Sequence, residues 1–199
     1  MKRSKEDAAE TIRKLMEVAR SHFTEYGYAE AALESIVQEA GLTRGAVYHH
    51  FRSKKELFRA VLADVQQDVA ERVESEAAAS EEMGEQLYLG CRAFVLAAIE
   101  ERSRRILLID GPAIVGWEAW REMDRHHSMR LLREQLGRMQ EQGYVRPMPL
   151  DALVHFISGG LNETALWLAG ASVDPDAQEE AMKMLALFLE GLKKENEGA

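Results

Sequence analysis

Cysteine occurs once in the 199 residues, as Cys91. That excludes a disulfide framework and a thiolate metal cluster, and it makes a reducing cytoplasm the expected setting. No run approaches the roughly 18 consecutive apolar residues that a membrane helix needs, so no membrane partner is expected. The opening MKRSKEDAAE has basic residues with no apolar core behind them, and a secretory signal is not expected. Strand-like alternation is missing, as is any internal repeat. The sequence also lacks G-x-S-x-G, H-E-x-x-H, a Walker-type glycine loop and a dinucleotide fingerprint. Asp110, His126, His127 and Ser128 offer bases and a hydroxyl, but at spacings ordinary for a solvated helix. No enzyme, cofactor or metal is therefore expected.

The residues that are there describe a helical protein. Hydrophobic residues make up 46% and charged residues 30%, a soluble globular composition with room for one ordinary domain or a small one plus a medium one. From Asp7 to Tyr26 the apolar positions Ile12, Leu15, Met16, Ala19 and Phe23 keep helical spacing, and Gly27 supplies a C-cap. Leu33, Ile36 and Val37 repeat the spacing over a shorter span. Ala40 closes that run, Gly41 permits a turn, and Leu42 points inward. Thr43 is an N-cap for the next helix, and Ser53 with Glu56 has the S-x-x-E form of a capping box. A helix thus restarts twice within about a dozen residues, the spacing of a helix-turn-helix. Ile12, Phe23, Leu33, Ile36, Leu42, Val47 and Phe51 are the expected core of a three-helix bundle.

The net charge of −9 is unevenly spread. Residues 1–60 hold 11 Lys and Arg against 9 Asp and Glu, and the remainder holds 14 against 25. Around the turn, Arg44, Arg52, Lys54, Lys55 and Arg59 face only Glu56, a local excess suited to a phosphate backbone. Lys2 to Lys5 form a short basic arm, either a solvated tail or a further phosphate contact. If Thr43 to His50 enters a major groove, Arg44 can meet guanine O6 and N7, while Gly45 and Ala46 allow close approach. Thr43, Tyr48, His49 and Lys54 supply donors for phosphates. Tyr48 is also readable as a packed aromatic. Adjacent His49 and His50 diverge by about 100° on a helix, with no further ligand at metal spacing.

The run AGLTRGAVYHHFRSKKELF resembles the DNA-binding signature of the tetracycline-repressor (TetR) family, with Ala40, Gly41, Thr43, Gly45, Tyr48, Phe51, Lys54 and Leu57 in register. The chain departs from the family at Ala31 and Ala32, where a hydroxyl residue often caps the second helix, and at Val37, where alanine is usual. The resemblance implies an all-α fold in two parts. Residues 1–53 would be the helix-turn-helix DNA-binding domain and residues 54–199 the helical effector-binding and dimerisation domain. It further implies a homodimer, a double-stranded palindromic operator, a small-molecule effector, and repression as the usual outcome.

Beyond the turn, the expected helices are Lys54 to about Ser75, Met83 to Glu101, a short one from Arg104 to Ile109 broken by Gly111 and Pro112, a long one from Ile114 to Gln142, then Leu150 to Ala169 and Asp176 to Lys194. The last two are apolar on more than one face. Phe156, Gly160, Leu161, Leu168, Met182, Leu185 and Leu189 are therefore candidates for a dimer interface. Cys91, Phe94, Leu107, Trp117, Trp120, Phe156 and Trp167 are candidates to line an apolar ligand site, with Asn162 and Glu163 to orient the ligand or to serve the interface. His127 and His155 are further polar candidates. A second reading is a helical dimeric module that binds a small molecule or a protein, with DNA binding weakened or lost.

Overall fold

The computed structural model describes residues 5–170 and 176–194. Lys2 and Arg3 of the basic arm lie outside them. All described regular structure is helical, apart from an isolated antiparallel bridge between Val145 and Lys193. The helices are α1 Lys5–Glu30, α2 Leu33–Glu39, α3 Arg44–His50, α4 Lys54–Ala77, α5 Met83–Ile99, α6 Glu101–Arg104, α7 Gly111–Val115, α8 Trp117–His126, α9 Ser128–Glu141, α10 Leu150–Leu168 and α11 Ala177–Glu190; a π-helical turn, Arg105–Asp110, joins α6 to α7.

The chain packs as two units. One comprises residues up to Val65 together with Glu101–Trp120, and the other comprises Gln66–Glu100 with the chain from Arg121 onward. In the first unit Phe23 packs edge-on against Phe58 at 5.1 Å, and Tyr28 does the same from another side. Leu15, Ala19, Ile36, Val47, Leu57, Val61 and Leu62 complete a buried core. Ile12, Leu42 and Phe51, expected at its centre, are only half-buried. A later segment joins the same core: Ile106, Leu107 and Leu108 of the π-helical turn are buried in this unit.

Polar contacts fix that segment to the end of α1. Arg105 Nη1 donates to Glu25 O at 2.9 Å, and Tyr28 N donates to Asp110 Oδ2 at 2.8 Å. Gly27, with φ +75°, breaks α1 as expected, and a Cβ there would fall 2.6 Å from the Arg105 guanidinium. The left-handed backbone favours glycine at this point, and a side chain there would have to move the Arg105 guanidinium aside.

The expected long helix from Ile114 to Gln142 is three helices. Gly111 and Pro112 do not break the chain but begin α7, where proline at the first turn sacrifices no helical hydrogen bond. The breaks fall at Gly116, φ +91°, and at His127, φ −116° and ψ −111°. In the second unit α5, α9 and α10 bury Leu87, Val95, Leu136, Met139, Val154, Ile157 and Ala165, and α11 adds Ala181, Met182 and Leu189. Glu82 caps α5 by accepting from Gly84 N and Glu85 N, and Tyr144 OH donates to the same carboxylate.

Candidate functional site

The helix-turn-helix is built by short-range hydrogen bonds. At the end of α2, Gly41 N donates to Gln38 O and Leu42 N to Val37 O, both at 3.0 Å, while Gly41 itself sits at φ +69°. Thr43 Oγ1 accepts from Ala46 N at 3.2 Å and starts α3, and Ser53 Oγ accepts from Glu56 N at 3.1 Å to start α4. Ala32 stands at the N-cap of α2 without a side-chain bond, as its methyl dictates.

Only Val47 of α3 is buried. Arg44, Gly45, Tyr48, His49 and His50 are exposed. Arg44 Nη2 lies 3.0 Å from Glu34 Oε1, both side chains more than 60% exposed, and its guanidinium lies 6.0 Å from the Tyr48 ring centre. An ion pair this exposed contributes at most about 1 kcal/mol, so the arginine is easily redirected. A Cβ on Gly45 would meet nothing nearer than Thr43 Oγ1 at 4.0 Å. The fold itself therefore has no steric need for glycine there, although glycine costs a helix roughly 1 kcal/mol relative to alanine.

Lys54 is differently placed from the expectation of a phosphate ligand. Its Nζ donates to Ala29 O at 3.2 Å and stands 4.6 Å from the centre of the Tyr28 ring. Burial lowers its pKa, against the raising influence of Glu30 and Glu34. It ties the start of α4 to the end of α1. The basic side chains exposed beside α3 are Arg52, Lys55 and Arg59. His49 and His50 pack edge-on at 5.2 Å, and no cluster able to hold a metal is present among the described residues.

The second unit contains a cavity of about 300 Å³. The apolar part of its wall is Val73 of α4, Leu87, Cys91 and Phe94 of α5, Met129 and Leu132 of α9, and Leu161 of α10, and Glu74 and Glu134 stand in its exposed part. Burial pushes the Cys91 thiol up to about 12, which keeps it a neutral, unreactive wall group at physiological pH. Polar groups enter at two places. Asp124, Ser128 and Ser158 meet at one, where Arg121 Nη1 is 2.7 Å from Asp124 Oδ2 and 3.1 Å from Ser158 Oγ. Burial raises the Asp124 pKa, and Arg121 and then His127 oppose that shift. At the other, Gln135 Nε2 donates to Met83 O at 3.1 Å and to Gln86 Oε1 at 3.2 Å, and Arg138 donates to Gln135 Oε1.

Of the ligand candidates from sequence, Cys91 and Phe94 line this cavity and the others do not. Trp120 is buried in the first unit, where its Nε1 donates to Leu107 O at 2.9 Å, and Trp117 stacks beside it, 62% exposed. Phe156, Glu163, Trp167 and His155 are exposed on α10. Asn162 is buried but turns its amide nitrogen back to Ser158 O at 2.9 Å. Asp124, Ser158 and Gln135 were not legible as site residues, because each sits in a charged or mixed helical run. Their signal was position on the apolar stripe, since Ser158 lies one turn before Leu161 and Gln135 beside Leu136.

The interface candidates divide as well. Phe156 is 68% exposed and Gly160 is open, whereas Leu161, Met182 and Leu189 are buried within the chain and Leu168 and Leu185 are half-buried. The outward apolar residues of α11 are Met184, Leu187 and Phe188 instead. A helix apolar on two faces gives no phase from periodicity alone, and adjacent positions such as Met184 and Leu185 lie about 100° apart on it.

A helical protein with an exposed helix α3 of about two turns and a ligand-sized cavity in its second unit has the build of a class, that of helix-turn-helix regulators with a helical second domain. Family models agree: "Bacterial regulatory proteins, tetR family" matches residues 15–61, and "Tetracyclin repressor-like, C-terminal domain" matches residues 84–192. The chain belongs to the TetR family of transcriptional regulators. A crystal structure of a TetR-family transcriptional regulator from Pectobacterium atrosepticum is similar, with 32% identity, a TM-score of 0.82, and coverage of 96% of this chain and 98% of that one. The HTH-type transcriptional regulator TtgR of Pseudomonas putida is 37% identical over 112 residues, 53% of this chain and 51% of that protein. AcrR of Shigella flexneri is 39% identical over 57 residues, 29% of this chain and 26% of that protein. The chain thus spans about half the length of TtgR and about a quarter of AcrR in these matches.

Proposed function

We infer that the protein is a sequence-specific DNA-binding regulator, a repressor that holds a palindromic operator as a homodimer and lets go when a small molecule fills the cavity of the second unit. Residues 1–53 do the reading and residues 54–199 hold the pair together and sense the ligand. The observation that carries this is α3. Six of its seven residues are not buried, and Gly45 stands there without an internal steric reason. A helix that adds one side chain to the core is kept for what its other faces touch. Arg44 is positioned to read guanine once it leaves Glu34, and Tyr48 and His49 to reach phosphates or bases. Release follows from the ligand's differential affinity for two dimer shapes.

Selection of bound duplexes from a random pool is the direct test. A two-fold-symmetric consensus is expected, and Arg44→Ala with Tyr48→Ala should weaken binding to it by at least about tenfold, the equivalent of one good base contact. A pool with no consensus at low salt would favour the second reading, a helical ligand-binding dimer without DNA, to which the Arg44–Glu34 pair and the uncapped α2 lend support.

A further inference from the structure

We propose that the cavity of the second unit takes an apolar organic cation, a protonated amine on a hydrophobic body, with Asp124 as its counter-ion. The proposal rests on the reading of this cavity as the effector site and names the class of molecule it admits. Asp124 is 5% exposed and lines the cavity, while Arg121, the partner that neutralises it, does not line it. An entering group therefore meets the carboxylate rather than the guanidinium. Arg121 Nη1 donates to Asp124 Oδ2 and shares that nitrogen with Ser158 Oγ. An ionised carboxylate accepts about four hydrogen bonds, so capacity is left for an ammonium, and Ser128 and Ser158 line the same place with hydroxyl acceptors.

The rest of the lining has the same sign. Glu74 and Glu134 stand in the exposed part of the wall, opposed by Arg138. Arg138 is already donating to Gln135, and Glu134 is shared with Arg130 at 2.8 Å. Three carboxylates against one guanidinium line the space, so an anion entering it would meet like charge at the buried Asp124. Desolvation strengthens that preference, because a buried charge pair is screened far less than an exposed one. The body of the ligand is set by Leu87, Phe94, Met129 and Leu132, which offer no polar atom beyond the backbone. At about 300 Å³ the space is at the small end of ligand pockets, suited to a single ring with a short chain.

The test is calorimetric titration of the full chain with phenylbutylamine, phenylbutanol and phenylbutyrate, which share one apolar body and differ in head-group charge. The amine is expected to bind about tenfold or more tighter than the alcohol, and the carboxylate weakest, as one desolvated charge contact implies. Asp124→Asn should bring the amine to the alcohol's affinity and leave the alcohol within about twofold. Because Asp124→Asn removes the carboxylate beside the Arg121 guanidinium, the double variant Asp124→Asn with Arg121→Gln provides a second, uncharged form of the same site. A carboxylate that binds as tightly as the amine, or an amine advantage that survives in both variants, overturns the charge assignment while the alcohol still reports a working cavity. An alcohol that binds as well to Leu132→Trp as to the native chain, or no binding by any of the three, overturns the cavity reading and the proposal with it.

Discussion

At the scale of single residues, Glu82 shows how one carboxylate joins local and distant chain. Its oxygens accept from Tyr144 OH and from the first N–H groups of α5, and these bonds hold its pKa below the ordinary glutamate value, chiefly through the tyrosine. A folded-state pKa below the unfolded one contributes stability that is fully present above the unfolded value and is lost as pH falls through the folded one. Glu82→Gln should therefore be less stable than the native chain at neutral pH, by no more than about 1 kcal/mol because the carboxylate faces solvent. The difference should shrink as pH drops below the ordinary glutamate range. Urea denaturation of both proteins across that range checks it, and a constant difference would assign the effect to packing instead. The capping role was not readable beforehand, since glutamate is an uncommon N-cap and Tyr144 lies 62 residues away in sequence. Thr43 and Ser53, which act over three residues, were legible from the sequence alone.

Elements were legible where a strong local signal ended them. Gly27 and Gly41 stop helices as their sequence context indicates, and the caps at Thr43 and Ser53 restart them. The region after Ile99 was misread because its breaks depend on tertiary packing: the π-helical turn docks on α1 through Arg105 and Asp110, and His127 leaves helical geometry although no glycine or proline marks it. The same limit applies to Lys54. Its position at the start of α4 suggests an anion contact, yet the structure commits it to Ala29 O and the Tyr28 ring. Lys54→Ala should accordingly lower the melting temperature while the slope of log affinity against log salt stays unchanged. A lysine neutralising a phosphate would reduce that slope by about one unit on removal. Operator titrations at several salt concentrations separate the two, and a slope reduced by one with unaltered stability returns Lys54 to the DNA.

For the whole molecule the deciding feature is the apolar surface that a single chain leaves in water. Phe156, Leu166 and Trp167 of α10 and Met184, Leu187 and Phe188 of α11 are all exposed, with Phe156 and Phe188 in ring contact at 5.7 Å. Gly159 and Gly160 have nothing within 4 Å of where a Cβ would stand. Soluble monomers seldom leave contiguous apolar patches beyond a few hundred Å², and a second copy crossing at the two glycines would cover this one as a four-helix bundle. One recognition helix contacts too few base pairs to single out a site in a genome, so the proposed operator reading requires a pair. Leu187→Lys with Phe188→Lys places two charges in that surface without touching α3 or the buried residues of α11. Sedimentation equilibrium should then report a monomer of unchanged helicity. Its operator affinity should fall by at least about a hundredfold, the advantage lost when two linked heads become one. The head of such a monomer is intact, so whatever weak binding survives should remain sensitive to Arg44→Ala. If the charged variant stays dimeric, α10 and α11 are not the shared surface; if it is monomeric yet binds as tightly as before, reading does not require a pair.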